Sequence, residues 1–271
     1  MIPAVSIRQH KTPVALPSKV EPQPRGDHWR LWMDDGSVGE ARYRSPWLTL
    51  TLPQAQPRLV QSPAREATES LWQLIEHNAL LEPGQQYGVT EALQVVRYCE
   101  KYLEEKDRSE MLQDIQSLLQ PPDTGSAGRP EAAVVIELCS DCGVSCIESE
   151  TGITVPVGAA DDIFHAQLSP EAGRIRLRVQ LLPGVRGLPA GQRHALALFL
   201  LRLQARAVRP VLDKDSSCLF LEALSDADSE SLAFALDALA AACTLVFAEV
   251  QCLAESALLA GAFISLFNQP V

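Results

Sequence analysis

Positive charge is scarce in this sequence. Its 271 residues hold 23 Lys and Arg against 34 Asp and Glu, a formal net charge of −11. A nucleic-acid binder needs a basic face to neutralise phosphates, so the balance argues against that class. No apolar signal-peptide core opens the chain; its first 26 residues, with five prolines, are expected to form an extended, flexible arm. The most apolar stretch, Ala238 to Phe267, is interrupted by Glu249 and Glu255. Its uncharged runs fall short of the ~20 residues a bilayer helix needs, so no membrane partner is expected. Seven cysteines is an odd number. Without an export signal they read as reduced thiols, and the expected location is cytoplasmic.

Signatures of catalysis are missing too. There is no Gly-x4-Gly-Lys-Ser/Thr or Gly-x-Gly-x2-Gly, whose glycines let backbone cradle phosphates. No Gly-x-Ser-x-Gly elbow presents a nucleophile. His10, His28, His77, His165 and His194 have no nucleophile and orienter assembled around them, so helix-lining or surface roles are expected. Cys139-x2-Cys142-x3-Cys146 is the sharpest local pattern. Two thiolates at that spacing can converge on a zinc ion, but a closed site needs four ligands and only His165 is available nearby. The motif also closes a helix, whereas a low thiol pKa needs a helix N-terminus. Packing is therefore preferred, with a small zinc- or thiol-dependent module built on these three cysteines as the alternative. The carboxylates Asp34-Asp35, Asp161-Asp162, Asp213/Asp215 and Asp226/Asp228 fall at turns and caps, where Asp bonds to backbone. No enzyme, metal or cofactor is expected.

What the chain has is apolar patterning. At 46% hydrophobic residues it can bury a core. Trp29–Met33, Glu40–Arg44 and Trp47–Leu52 alternate as strands do, with a turn at Asp34-Asp35-Gly36-Ser37. A loop follows over Pro53–Pro63. The spacing of Leu71, Trp72 and Ile75 predicts a helix over Thr68–Leu81. Gln85–Tyr102 reads as a strand pair, one long strand or a helix. Ser109–Leu119 is a short amphipathic helix. PPDTGSAGRP, residues 121–130, is a linker. Beyond it come a helix at Glu131–Asp141 and strands at Val144–Val157, Ile163–Leu168 and Ile175–Leu182. In the last of these, Ile175, Leu177, Val179 and Leu181 oppose Arg174, Arg176 and Arg178, one buried face and one solvated face. A helix over Ala190–Val208 is expected to end at Pro210. A strand at Leu219–Leu224 then leads into a last helix, capped near Asp226 and Asp228 and reaching Phe267.

The order helix, three strands, helix, strand, helix over residues 130–267 resembles the type III secretion chaperone-like fold, which includes the YbjN-like bacterial proteins. The stretches that carry it are AAVVIELCSDCG, IESETGITVPV, GRIRLRVQLLPG, AGQRHALALFLLRLQARAVR and SSCLFLEALSDADSESLAFALDAL. Residues 27–120 read as a degraded copy of the same unit. The expected fold is α+β: two small antiparallel-sheet lobes with flanking helices, at 27–120 and 131–271. The resemblance implies a non-enzymatic, chaperone-like protein that holds an extended segment of another protein on its sheet and helix surface. A homodimer is a candidate assembly. A chaperone of that kind is about half as long, which favours a tandem protein.

The last helix is apolar almost all round between Ala238 and Phe267, and one sheet covers only one face of a helix. Leu258, Leu259, Phe263, Leu266 and Phe267 are therefore the candidate interface, covering the first lobe or a second copy. A structural subunit assembled into a complex through this helix is a further reading.

Overall fold

Alternating apolar residues build two sheets of six strands each, antiparallel at every pairing. The computed structural model describes residues 16–267, apart from 25, 45–46, 53–64, 83, 91–94, 100–107, 120–130, 150–151, 160–161, 172, 204–206 and 214. The expected linker at 121–130, the loop at 53–63 and residues 1–15 of the expected arm lie outside the described residues.

The first sheet is made by β1 (Pro17–Pro22), β2 (His28–Met33), β3 (Val38–Arg44), β4 (Trp47–Thr51), β5 (Tyr87–Val89) and β6 (Val95–Cys99). Helix α1 (Arg65–Asn78) joins β4 to β5, and α2 (Arg108–Leu119) follows β6. The second half opens with α3 (Ala132–Asp141). Its sheet holds β7 (Ile147–Ser149), β8 (Gly152–Ala159), β9 (Asp162–Glu171), β10 (Arg174–Leu182), β11 (Val208–Leu212) and β12 (Leu219–Asp226). Helix α4 (Ala190–Arg202) joins β10 to β11, and α5 (Ser229–Glu255) and α6 (Ala257–Ser265) close the chain.

Both sheets trace one path. Four strands run as a meander, a helix crosses over, and the sixth strand pairs beside the fourth with the fifth outside it. The orders are β1-β2-β3-β4-β6-β5 and β7-β8-β9-β10-β12-β11.

Four expectations need correction. Residues 17–22 of the arm are the edge strand β1, with Trp32 Nε1 donating to Glu21 at 3.2 Å. Proline lacks a donor, which an edge strand tolerates. Val144–Val157, expected as one strand with a turn at Glu150-Thr151-Gly152, is two paired strands, β7 and β8. The helix expected to run to Val208 stops at Arg202, and Pro210 lies within β11 opposite Leu221. That strand too is an edge, so the missing N–H costs no ladder bond. The last helix breaks at Ser256, whose φ of −115° and ψ of 108° are extended; its hydroxyl accepts from Leu259 N at 3.2 Å and starts α6.

The two crossover helices pack on each other, and each also lies against the outer strand of the other unit, α1 on β11 and α4 on β5. Both are therefore buried beyond a single stripe. Buried polar groups fix the junction. Thr68 Oγ1 lies 3.0 Å from His194 Nδ1, Trp72 Nε1 donates to Arg193 O at 3.2 Å, and Gln86 Nε2 donates to Val208 O at 3.2 Å. Arg209 reaches from β11 to the carbonyls of Asn78 and Leu81 just past α1.

Candidate functional site

The arginine side of β10 is not a solvated face. Antiparallel register sets Glu222 of β12 directly between Arg178 of β10 and Arg209 of β11. Glu222 is 1% exposed. It accepts from Arg178 Nε at 2.6 Å and Arg209 Nε at 2.9 Å, and lies 3.5 Å from Arg176 Nε. Arg176 also pairs with Glu171, and Arg174 with Glu82 of the first unit at 2.6 Å and Asp226 at 3.5 Å. Glu82 holds the Arg174 guanidinium above its ordinary pKa. The four guanidiniums thus meet four carboxylates; the Arg209–Glu222 pair is buried, and the half-exposed Arg174–Glu82 pair joins the two units. Alternation showed the arginines; nothing local in the sequence marked Glu222 or Arg209 as buried.

The cysteines fold into packing. Cys139 is buried, and burial first, then neighbouring Cys146 and Cys142, pushes its thiol up to about 11. Burial likewise raises Cys142, whose Sγ donates to Ser229 O at 3.2 Å and so ties α3 to the start of α5. His165 is exposed on β9, on the side away from buried Ala166, and does not converge with them. Among the described residues no cluster of three or more His, Cys, Asp or Glu is placed to hold a metal. A thiol near 11 is a poor nucleophile at neutral pH, because the thiolate is the reactive form.

His194 is buried on α4, and burial lowers its pKa to about 4. His77 is buried with its ring centroid 5.6 Å from that of Tyr87. Both line helices at the junction. Asp35 accepts from Ser37 N at 2.9 Å, Asp213 from Ser216 N at 3.3 Å and Asp228 from Ser231 N at 2.8 Å. These carboxylates serve turns and the cap of α5, while Asp161 lies outside the described residues.

What is left uncovered is apolar. On α5, Leu232, Leu236, Leu239, Cys243, Val246 and Val250 are buried in the core as the helix lies across the second sheet. Its length and composition would also allow it to cross a membrane. Yet Phe234, Ala241, Leu245, Ala248 and Cys252 are exposed on the opposite side, Leu245 at 73%. A groove of about 430 Å³ runs between Leu236, Ala240 and Thr244 of α5 and Pro156–Gly158 of β8.

The five expected interface residues are divided by α6. The helix folds back onto α4 rather than reaching the first unit's sheet. Phe263 stacks edge-on with Phe199 of α4 at 6.1 Å and with Phe267 at 5.3 Å, and Arg202 lies over the Phe267 ring at 4.8 Å. Phe263 and Phe267 are therefore partly covered within the chain. Leu258, Leu259 and Leu266 face outward, Leu258 at 82% exposure. The spacing of Leu232, Leu236, Leu239, Cys243, Val246, Val250 and Leu253 predicts the buried face of α5, and the structure buries those residues; the opposite stripe is apolar as well, which periodicity alone does not mark as exposed.

Sheet edges offer less than the helices. β7 has only three residues, and β1 begins and ends in proline. β5 and β11 are covered by the opposite unit's helices, which blunts them against strand addition.

No family model, curated protein or solved structure matches this chain.

Proposed function

We propose that this protein is a non-enzymatic, chaperone-like binder of other polypeptides, and that the outer faces of α5 and α6 are its binding surface. One observation carries the reading: Leu258 and Leu259 of α6, with Leu266 just past its end, stand in solvent while the other side of α6 is anchored to α4. Large apolar side chains grouped outside a core mark interaction surfaces. The sequence resemblance to type III secretion chaperones points the same way, although the fold adds β7 and β11 to the order of elements that carries it. Reduced thiols fit a cytoplasmic setting.

The test is site-specific photo-crosslinking in the native host, with a photoreactive residue at position 258 or 266. Discrete adducts to a protein are expected at both positions. They should vanish in the Leu259→Asp variant, whose melting temperature should stay within about 2 °C because the site is exposed. Adducts only to scattered abundant proteins, unchanged by Leu259→Asp, would remove the proposal.

A further inference from the structure

The chain from Ser229 to Phe267 contains Glu230, Asp237, Glu249 and Glu255 and no Lys, Arg or His. All four carboxylates are exposed, and among the described residues none of them pairs with a cation. At 3.6 residues per turn, Phe234, Ala241, Leu245, Ala248 and Cys252 form one stripe along the outside of α5. The same geometry puts Asp237 and Glu255 on one margin and Glu249 on the other. The stripe spans about 27 Å of helix, and its spacing of seven, four, three and four residues is that of a helix-packing seam.

We infer that α5 is the docking seam for a cationic amphipathic helix of another protein, with an apolar face on the stripe and Lys or Arg over both margins. The inference rests on the polypeptide-binding reading above and names the chemistry of the partner. Helix-on-helix docking suits the surface, because the seam has helical period and the groove beside it against β8 can take side chains from the margin. Charge selects the occupant. A second copy would set its own Asp237, Glu249 and Glu255 against these, and like charges at contact repel. An anionic bilayer is repelled for the same reason. A helix with basic margins satisfies both the apolar stripe and the unpaired carboxylates.

The full chain can be tested with two synthetic helical peptides of about 18 residues sharing one Leu/Ala face, one with Lys margins and one with Glu margins. Two readouts apply: fluorescence anisotropy, and protection of Cys252 from alkylation read by mass spectrometry. Cys252 sits in the stripe and is the exposed one among the cysteines whose side chains are described. The Lys peptide should bind at least about tenfold more tightly than the Glu peptide and protect Cys252. The combined variant Asp237→Lys, Glu249→Lys, Glu255→Lys should lose about tenfold or more for the Lys peptide and gain for the Glu peptide. Asp34→Lys, Glu40→Lys, Glu148→Lys changes net charge equally away from α5 and should leave binding intact.

Equal binding of both peptides would overturn the inference, and so would equal losses in the two charge variants. Protection of Cys252 by anionic vesicles, or by concentrating the chain alone, would overturn it in favour of a membrane or a second copy. The crosslinks at positions 258 and 266 separate the two claims. If they form to a segment without basic margins, the docking chemistry falls and the polypeptide-binding reading stands; if they form to nothing, both fall.

Discussion

The two sheets share a strand order but not a covering. The first unit is followed by α2, 12 residues that pack their Met111, Ile115, Leu118 and Leu119 inward and touch β1. At the same place in the second unit stands α5, 27 residues, followed by α6, and α3 opens that unit ahead of its sheet. Among the described residues, the first unit's helices turn their large apolar side chains inward. The other unit has more apolar helix than its sheet buries, and the surplus is the surface proposed above for binding. Identical topology fixes what must be covered, so the excess is visible by subtraction.

A second contrast lies in the strands β6 and β12, each of which sits between the fourth and fifth strands of its sheet. Each carries a charge that is 1% exposed, Arg97 in the first unit and Glu222 in the second. Arg97 donates from Nε to Gln85 O at 3.0 Å and lies over the Tyr87 ring at 5.4 Å, with no carboxylate partner among the described residues. Glu222 has three guanidiniums around it. Breaking a buried ion pair strands the remaining charges, so Glu222→Ala should cost about 3–5 kcal/mol in urea unfolding. Arg97→Met should cost only about 1–2 kcal/mol, chiefly for the Gln85 carbonyl left without its donor. Equal costs would show that the two buried charges do the same job.

Acid should act on the junction between the units. His194 is neutral in the fold with a pKa of about 4, while in the unfolded chain it takes up a proton near 6.5. The unfolded state then binds more protons, so stability is full above pH 6.5 and declines as pH falls toward 4. Across that window the loss is about 3 kcal/mol at 1.36 kcal/mol per pKa unit. Thermal melts of wild type and His194→Gln at pH 7 and pH 4.5 measure it; the variant should lack most of this pH dependence. The smallest expected effect sharpens the surplus-helix contrast. Ser256→Ala removes the cap of α6 and should cost about 1 kcal/mol in local opening, read by faster amide exchange in Ala257–Ala260, with β10 and β12 unchanged.

Much of the architecture was legible because period 2 and period 3.6 survive in single elements. Arg174–Leu181 alternates without a fault, and Leu71, Trp72 and Ile75 mark α1. What escaped was set by partners distant in sequence. β1 and β11 carry prolines that argue locally against strands, and only their positions at sheet edges make them acceptable. Ser256 is one hydroxyl inside an apolar run, so periodicity passed over the break. Nothing local in α1 or α4 says that Thr68 will meet His194 across more than a hundred residues. The candidate surface was half legible: apolar surplus pointed to Leu258, Leu259 and Leu266, but Phe263 and Phe267 found cover on α4, and the spacing that marks the buried face of α5 does not say that the opposite apolar face stays uncovered.

The crossed seating of α1 on β11 and α4 on β5 makes the halves mutual lids. Severed between Leu119 and Glu131, neither fragment would keep its inner helix sheltered, yet the two together retain every contact that closes the seam. Such fragments should behave as an obligate pair, insoluble when synthesised singly and recovered as a one-to-one complex when made side by side. An exchange of either half between divergent versions of this protein would have to carry its counterpart along.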